Sequence, residues 1–229
     1  MSKEGRSKKI AVATRRALRW AEQLQRDGKS GRSVDIGGWR YTSRVAECTS
    51  DLSVTAWMIM FYRSAQNAQF DVSKSSLNQA MEFVERCYSS RDGSFLYCPP
   101  PSSRRCNWAM CGAGMLTLSL AGRHGDPMAE SAANWLERHP FGRYGEIHQT
   151  HDRFHYAAYY CAQAMFQIGG KRWWAFYQDI AAKLLEGQRR DGRWPSESGE
   201  NAPVASAYST SIALMTLTIP YQLLPVYQR

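Results

Sequence analysis

A single unit recurs four times along this chain, and that recurrence limits its possible folds more than any other feature. Each copy reads as an apolar-periodic helix, a glycine-containing loop with an aromatic, and a second helix rich in small residues. The loops are Gly37-Gly38-Trp39, Asp92-Gly93-Ser94-Phe95, Gly142-Arg143-Tyr144 and Asp191-Gly192-Arg193-Trp194. Gly38 and Gly93 stand 55 positions apart, Gly93 and Gly142 49, and Gly142 and Gly192 50. One αα hairpin cannot bury its apolar face alone, so a fixed period of this size means stacked hairpins. The expected fold is all-α: an α/α toroid, or an open horseshoe segment of one, built from four αα hairpins with parallel inner helices.

Local signals place the helices. Ile10, Ala13, Ala17, Trp20 and Leu24 make one apolar stripe in the first, which stops near Asp27-Gly28. The second is expected at about 51–67 with Asp51 as its N-cap, and the third follows Ser73 with Leu77, Ala80, Val84 and Cys87 as its face. Pro99-Pro100-Pro101 marks the loop before a fourth helix at about 107–121. The fifth runs from Pro127 to Arg138, and the sixth from about Asp152 to Ile168, stopped by Gly169-Gly170. The seventh carries Trp174, Tyr177, Ala181, Leu184 and Gln188, and the eighth, at about 204–219, ends at Pro220. The even-numbered helices are apolar on nearly every side, so they are expected to form an inner ring inside the odd-numbered ones. Gly112, Ala113 and Gly114 let inner helices approach closely. These assignments divide the chain into a basic flexible arm, 1–9, and one domain, 10–229, with repeats at about 10–67, 73–121, 127–168 and 171–219.

Charge and cysteine content bound the setting. Residues 1–32 hold ten Lys or Arg against Glu4, Glu22 and Asp27, a net +7 of the chain's +9. The body is therefore nearly neutral and nucleic acid is not the expected partner; the basic arm reads as a solvated terminus. No run of eighteen apolar residues occurs, so no transmembrane segment is expected, and the N-terminus lacks the apolar core of a secretory signal. The six cysteines form no C-x-x-C pair, and Cys87, Cys111 and Cys161 fall in helical patterns. The expectation is a reduced, cytoplasmic setting, with Cys98 and Cys106 the one pair placed for a loop disulfide.

Gln188-Arg189-Arg190-Asp191-Gly192-Arg193-Trp194 resembles the Q-x3-G-x-W loop of the prenyltransferase and squalene–hopene cyclase repeat superfamily. The other copies depart from it: Ser89 and Phe95 in the second, Arg138 and Tyr144 in the third, and a stretched Gln25 to Trp39 in the first. The resemblance covers nearly the whole chain and implies the α/α toroid. Its chemistry transfers poorly. Neither the D-x-D-D acid of class II cyclases nor the magnesium-binding D-D-x-x-D of class I synthases occurs. The zinc set of protein prenyltransferases falls on Asp51, Ser53 and Ala157, which keeps one ligand of three. No cofactor is expected, with zinc or magnesium as the alternative.

Candidate site residues follow from this frame. Asp51 and Asp152 are the acids that an enzyme of this class would use, with Glu200 a further rim acid. His148, His151 and His155 are spaced i, i+3, i+7, with Asp152 alongside, and are the metal candidates against a reading as loop and cap residues. Parallel inner helices gather their N-termini at one mouth, where Arg104, Arg105 and Arg153 add positive potential for an anion such as a prenyl diphosphate. Trp57, Trp108, Tyr156, Tyr159, Tyr160 and Tyr208 are candidate walls for an isoprenoid-like ligand, against a reading as core. The expected function is an apolar-ligand or protein-partner binder without a recognisable catalytic set. The alternatives are a divergent prenyltransferase or cyclase using Asp51 or Asp152, and an open repeat array that dimerises to complete its ring.

Overall fold

A computed structural model describes residues 3–27, 32–41, 50–146, 153–197 and 203–223. The chain is mostly helical, as expected, and divides into two compact units. The first comprises Met1–Cys87 and Tyr97–Ser103. It holds α1 (Lys3–Leu24), a 3-10 turn at Ser33–Asp35, α2 (Leu52–Asn67) and α3 (Lys74–Arg86). The second comprises Tyr88–Leu96 and Arg104–Arg229. It holds the two-residue strands β1 (Tyr88–Ser89) and β2 (Ser94–Phe95), paired antiparallel around Asp92-Gly93. Five helices follow: α4 (Trp108–Leu120), α5 (Pro127–Arg138), α6 (Phe154–Ile168), α7 (Gly170–Gly187) and α8 (Pro203–Leu217). Pro220, expected to end the last helix, sits inside a closing 3-10 turn at Ile219–Tyr221.

Side chains at the predicted starts satisfy the first-turn N–H groups that no helix can pair internally. Asp51 Oδ1 accepts from the Val54 N–H at 2.9 Å, Asn107 Oδ1 from Met110 at 2.8 Å and Asp126 Oδ1 from Met128 at 2.8 Å, while Ser73 Oγ accepts from Ser76 at 3.1 Å. Helix α6 departs from this pattern. It starts at Phe154, two residues later than expected, and Arg153 offers it no side-chain cap.

The first and fourth loops share one hydrogen-bond plan, which supports the stretched Gln25–Trp39 copy. Gln25 Nε2 donates to the Gly37 carbonyl at 2.8 Å, as Gln188 Nε2 does to Gly192 at 3.0 Å. Trp39 Nε1 donates to Ala21 O at 2.7 Å and Trp194 Nε1 to Leu184 O at 2.6 Å, so each indole closes the end of its preceding helix. The backbone N–H of each Trp is taken by a threonine sixteen residues on, Thr55 and Thr210, both at 3.1 Å. Gly37 and Gly192 supply φ of 84° and 86°, a left-handed geometry that a Cβ disfavours. In the third copy the left-handed residue is Gly145, φ 75°, rather than Gly142.

Packing corrects one helix face and part of another. In α1 the buried residues are Leu18 and Ala21, with Thr14 and Gln25 half-buried, whereas Ile10, Ala13, Ala17, Trp20 and Leu24 are exposed. The face turned to α2 is thus one residue out of phase with the predicted stripe. In α7 the predicted Leu184 is buried and Tyr177 and Ala181 are half-buried, but Trp173 and Ile180 are buried in place of the exposed Trp174. Both helices carry apolar residues over more than half their circumference, so period alone does not select the facing arc.

All-round burial holds for α4, where every residue is buried, and nearly so for α6. A Cβ on Gly112 would lie 2.5 Å from the backbone nitrogen of Cys161 and one on Gly114 2.3 Å from the Phe95 ring, so the two glycines admit a helix and a ring respectively. Cys161 Sγ donates to Trp108 O at 3.1 Å and Cys111 Sγ to Ala132 O at 3.3 Å. Helices α2 and α8 each keep an open side, with Trp57, Tyr208 and Leu214 about half-exposed. On the outer surface Arg172 ties α7 to Glu130, Asn134 and Glu137 of α5.

Candidate functional site

In the first unit Asp51 is completely buried at the N-terminus of α2. One oxygen accepts from Ser53 Oγ at 2.5 Å and from the Val54 N–H, and the other faces Arg40 Nη1 at 3.4 Å. Burial pushes its carboxyl above the ordinary value, against the lowering effect of Ser53, Val54, Arg40 and a hydrogen bond from Tyr97. Burial and the Asp51 charge raise the Tyr97 hydroxyl in turn. The Arg40 guanidinium lies over the rings of Tyr41 at 5.3 Å and Tyr97 at 5.7 Å. Asp51 is therefore a cap inside a closed polar cluster.

The second unit builds a cluster that the sequence reading missed. Glu197, on the loop before α8, reaches back 42 residues to cap α6. Its Oε1 accepts from the His155 N–H at 2.7 Å and from His155 Nδ1 at 2.8 Å. Tyr144 Oη stands 2.9 Å from His155 Nε2 and donates to Pro195 O at 2.9 Å. That donation uses the phenol's one proton, so Nε2 must be the donor to Tyr144, and Nδ1 donates to the carboxylate. Both imidazole nitrogens thus donate, which describes a buried imidazolium–carboxylate pair. Burial works to raise the Glu197 carboxyl, but the His155 side-chain and backbone hydrogen bonds and its charge outweigh it, holding the group below its ordinary value. Tyr144 is raised by burial and by the Glu197 charge.

The predicted aromatic wall separates into two groups. Trp108 and Tyr159 are core: Trp108 stacks on Phe141 at 4.2 Å and donates to His139 O at 2.7 Å, and Tyr159 packs on Tyr160 at 5.5 Å. Trp57 is half-exposed on α2 in the first unit. Tyr156 and Tyr208 do come together in the second. Tyr156 contacts the Tyr160 ring at 4.9 Å, and the Tyr208 hydroxyl is pushed up to about 12 by burial and by the nearby Glu197 and Tyr156. Two polar atoms on this side are buried without a hydrogen-bond partner, Glu197 Oε2 and Gln163 Oε1. Arg105 and Arg153 are exposed. A separate cleft of about 440 Å3 is lined by Arg189, Arg190, Asp191, Arg193 and Pro195.

His148, His151, Asp152 and Glu200 lie outside the described residues. Among the described residues no group of three or more His, Cys, Asp or Glu could hold a metal. The zinc set implied by the resemblance does not fit either: Ser53 donates to Asp51, and Ala157 is buried in α6. The expected Cys98–Cys106 disulfide is corrected. Cys98 is disulfide-bonded, whereas Cys106 keeps a thiol, 4.0 Å from Asp92 and pushed up to about 12 by burial. The partner of Cys98 lies outside the described residues. Among those residues no helix is long and apolar enough to cross a membrane. No protein-family model matches the chain, and a comparison with curated proteins gives no match.

Proposed function

We propose that this chain is a prenyltransferase/squalene-cyclase-like repeat protein of α/α-toroid type that binds an isoprenoid-like molecule bearing a hydroxyl, without turning it over. The carrying observation is the buried, unpartnered Glu197 Oε2 beside Tyr156 and Tyr208. A buried acceptor left unpaired costs about 1–3 kcal/mol, and a ligand hydroxyl recovers that while its chain lies on the tyrosine rings. Absence of turnover is argued from Asp51, whose oxygens are already engaged by Ser53, Val54 and Arg40.

Titration with farnesol, followed by intrinsic fluorescence and native mass spectrometry, tests the reading. Tyr208→Ala should weaken binding by about fivefold or more while leaving the fold intact. An unaffected variant, or a wild-type protein that takes up no farnesol, would refute it.

A second reading as a divergent cyclase rests on the raised carboxyl of Asp51, which favours the protonated acid. It requires turnover of farnesyl diphosphate or squalene that Asp51→Asn abolishes in a folded protein.

A further inference from the structure

We infer that α1 is a peripheral anchor that lies on the surface of an anionic lipid bilayer. The helix has two apolar arcs. Leu18 and Ala21 pack toward α2, 4% and 1% exposed. The other arc, one residue and so about 100° away, consists of Ile10, Ala13, Ala17, Trp20 and Leu24. Its large members are 60%, 58% and 44% exposed at Ile10, Trp20 and Leu24. Fourteen residues at the helical rise make a ridge about 21 Å long.

Charge identifies the occupant. Helix α1 holds seven Lys or Arg against Glu4 and Glu22, a net +5. No charge interrupts the ridge between Ile10 and Leu24. Lys9, Arg16 and Arg19 are exposed along the flank away from the α2 contact, with Val12 among them. An apolar ridge with a basic flank complements a surface whose negative charge lies beside hydrocarbon, which is an anionic leaflet. A nucleic-acid site would instead put its basic groups on the contact face, with aromatics interleaved for stacking. Among the described residues no helix can span a bilayer, so the binding is interfacial and reversible.

Flotation of the full chain tests this, with vesicles of phosphatidylcholine alone and of phosphatidylcholine mixed with phosphatidylglycerol. The wild type should float with the anionic vesicles and much less with the neutral ones. Trp20→Ser combined with Leu24→Ser should reduce partition by about tenfold or more. Arg16→Gln with Arg19→Gln should reduce it on the order of tenfold on anionic vesicles only. Trp174→Ser, which removes an equally exposed tryptophan from α7, should change nothing; circular dichroism and thermal melts check that every variant is folded. Absence of wild-type flotation overturns the assignment, as does a ridge variant that floats like the wild type. A dimer that the ridge substitutions dissociate, or RNA binding that they abolish, would also overturn it by giving the ridge to another partner.

Discussion

Glu197→Ala is the sharpest perturbation of this fold, because one side chain closes a helix end and neutralises a buried cation. The substitution orphans the His155 N–H and leaves the imidazole of His155, itself buried, without its carboxylate. Loss of a helix cap costs about 0.5–2 kcal/mol, and removal of one member of a buried pair about 3–5 kcal/mol. The two overlap at one carboxylate, so the expected loss is about 3–5 kcal/mol in total. For a chain of this size that lowers the midpoint of thermal unfolding by roughly 6–20 °C. Glu197→Gln keeps an acceptor for the backbone N–H and should cost less, about 1–2 kcal/mol.

The pH dependence gives an independent reading of the same group. The Glu197 carboxyl is held below its ordinary value of 4.5 in the folded protein. Its stabilisation is therefore complete above about pH 4.5 and is lost as the pH falls through the folded value. Melts followed by circular dichroism from neutral to acid pH should show that acid limb in the wild type and a shallower one in Glu197→Gln. A Glu197→Ala midpoint within about 2 °C of wild type at neutral pH would refute both the cap and the ion pair.

Three further outcomes are expected. Gly112→Ala puts a Cβ 2.5 Å from the Cys161 backbone nitrogen and should lose about 1–3 kcal/mol in denaturant unfolding. Trp39→Phe and Trp194→Phe each strand one helix-end carbonyl and should cost similar amounts, about 1–2 kcal/mol, since the lost bond is the same; unequal losses would count against one loop plan in both units. For Asp51 the folded carboxyl lies above its ordinary 3.8, so its ionisation costs stability as the pH rises through that range; Asp51→Asn should remove this dependence and leave the unfolding free energy at neutral pH within about 1 kcal/mol of wild type.

The capped helices were legible because their signals are local. Asp51, Ser73, Asn107 and Pro127 each act within three residues of the helix they start, so their meaning survives without tertiary information. The equivalence of Gln25–Trp39 with Gln188–Trp194 was legible too, since the loop needs a left-handed glycine and an indole at a fixed offset. Facing was not. In α1 and α7 adjacent arcs are comparably apolar, and only the packed neighbour decides which arc is covered, so the chosen stripe was one residue out of phase in α1 and missed at Trp174 in α7. For the same reason Trp108 and Tyr159 could not be told from Tyr156 and Tyr208, as all four lie on apolar helices.

The chain's sequence by itself determined the mostly helical character, most helix starts and the likeness of the first and fourth loops, because these depend on backbone propensity and on contacts a few residues long. Tertiary structure alone decided that Glu197 caps α6 over 42 residues, that the buried His155 pairs with that carboxylate, and that the Trp20 ridge faces outward. Those outcomes depend on which surfaces meet when the chain folds, and no local period or spacing records that.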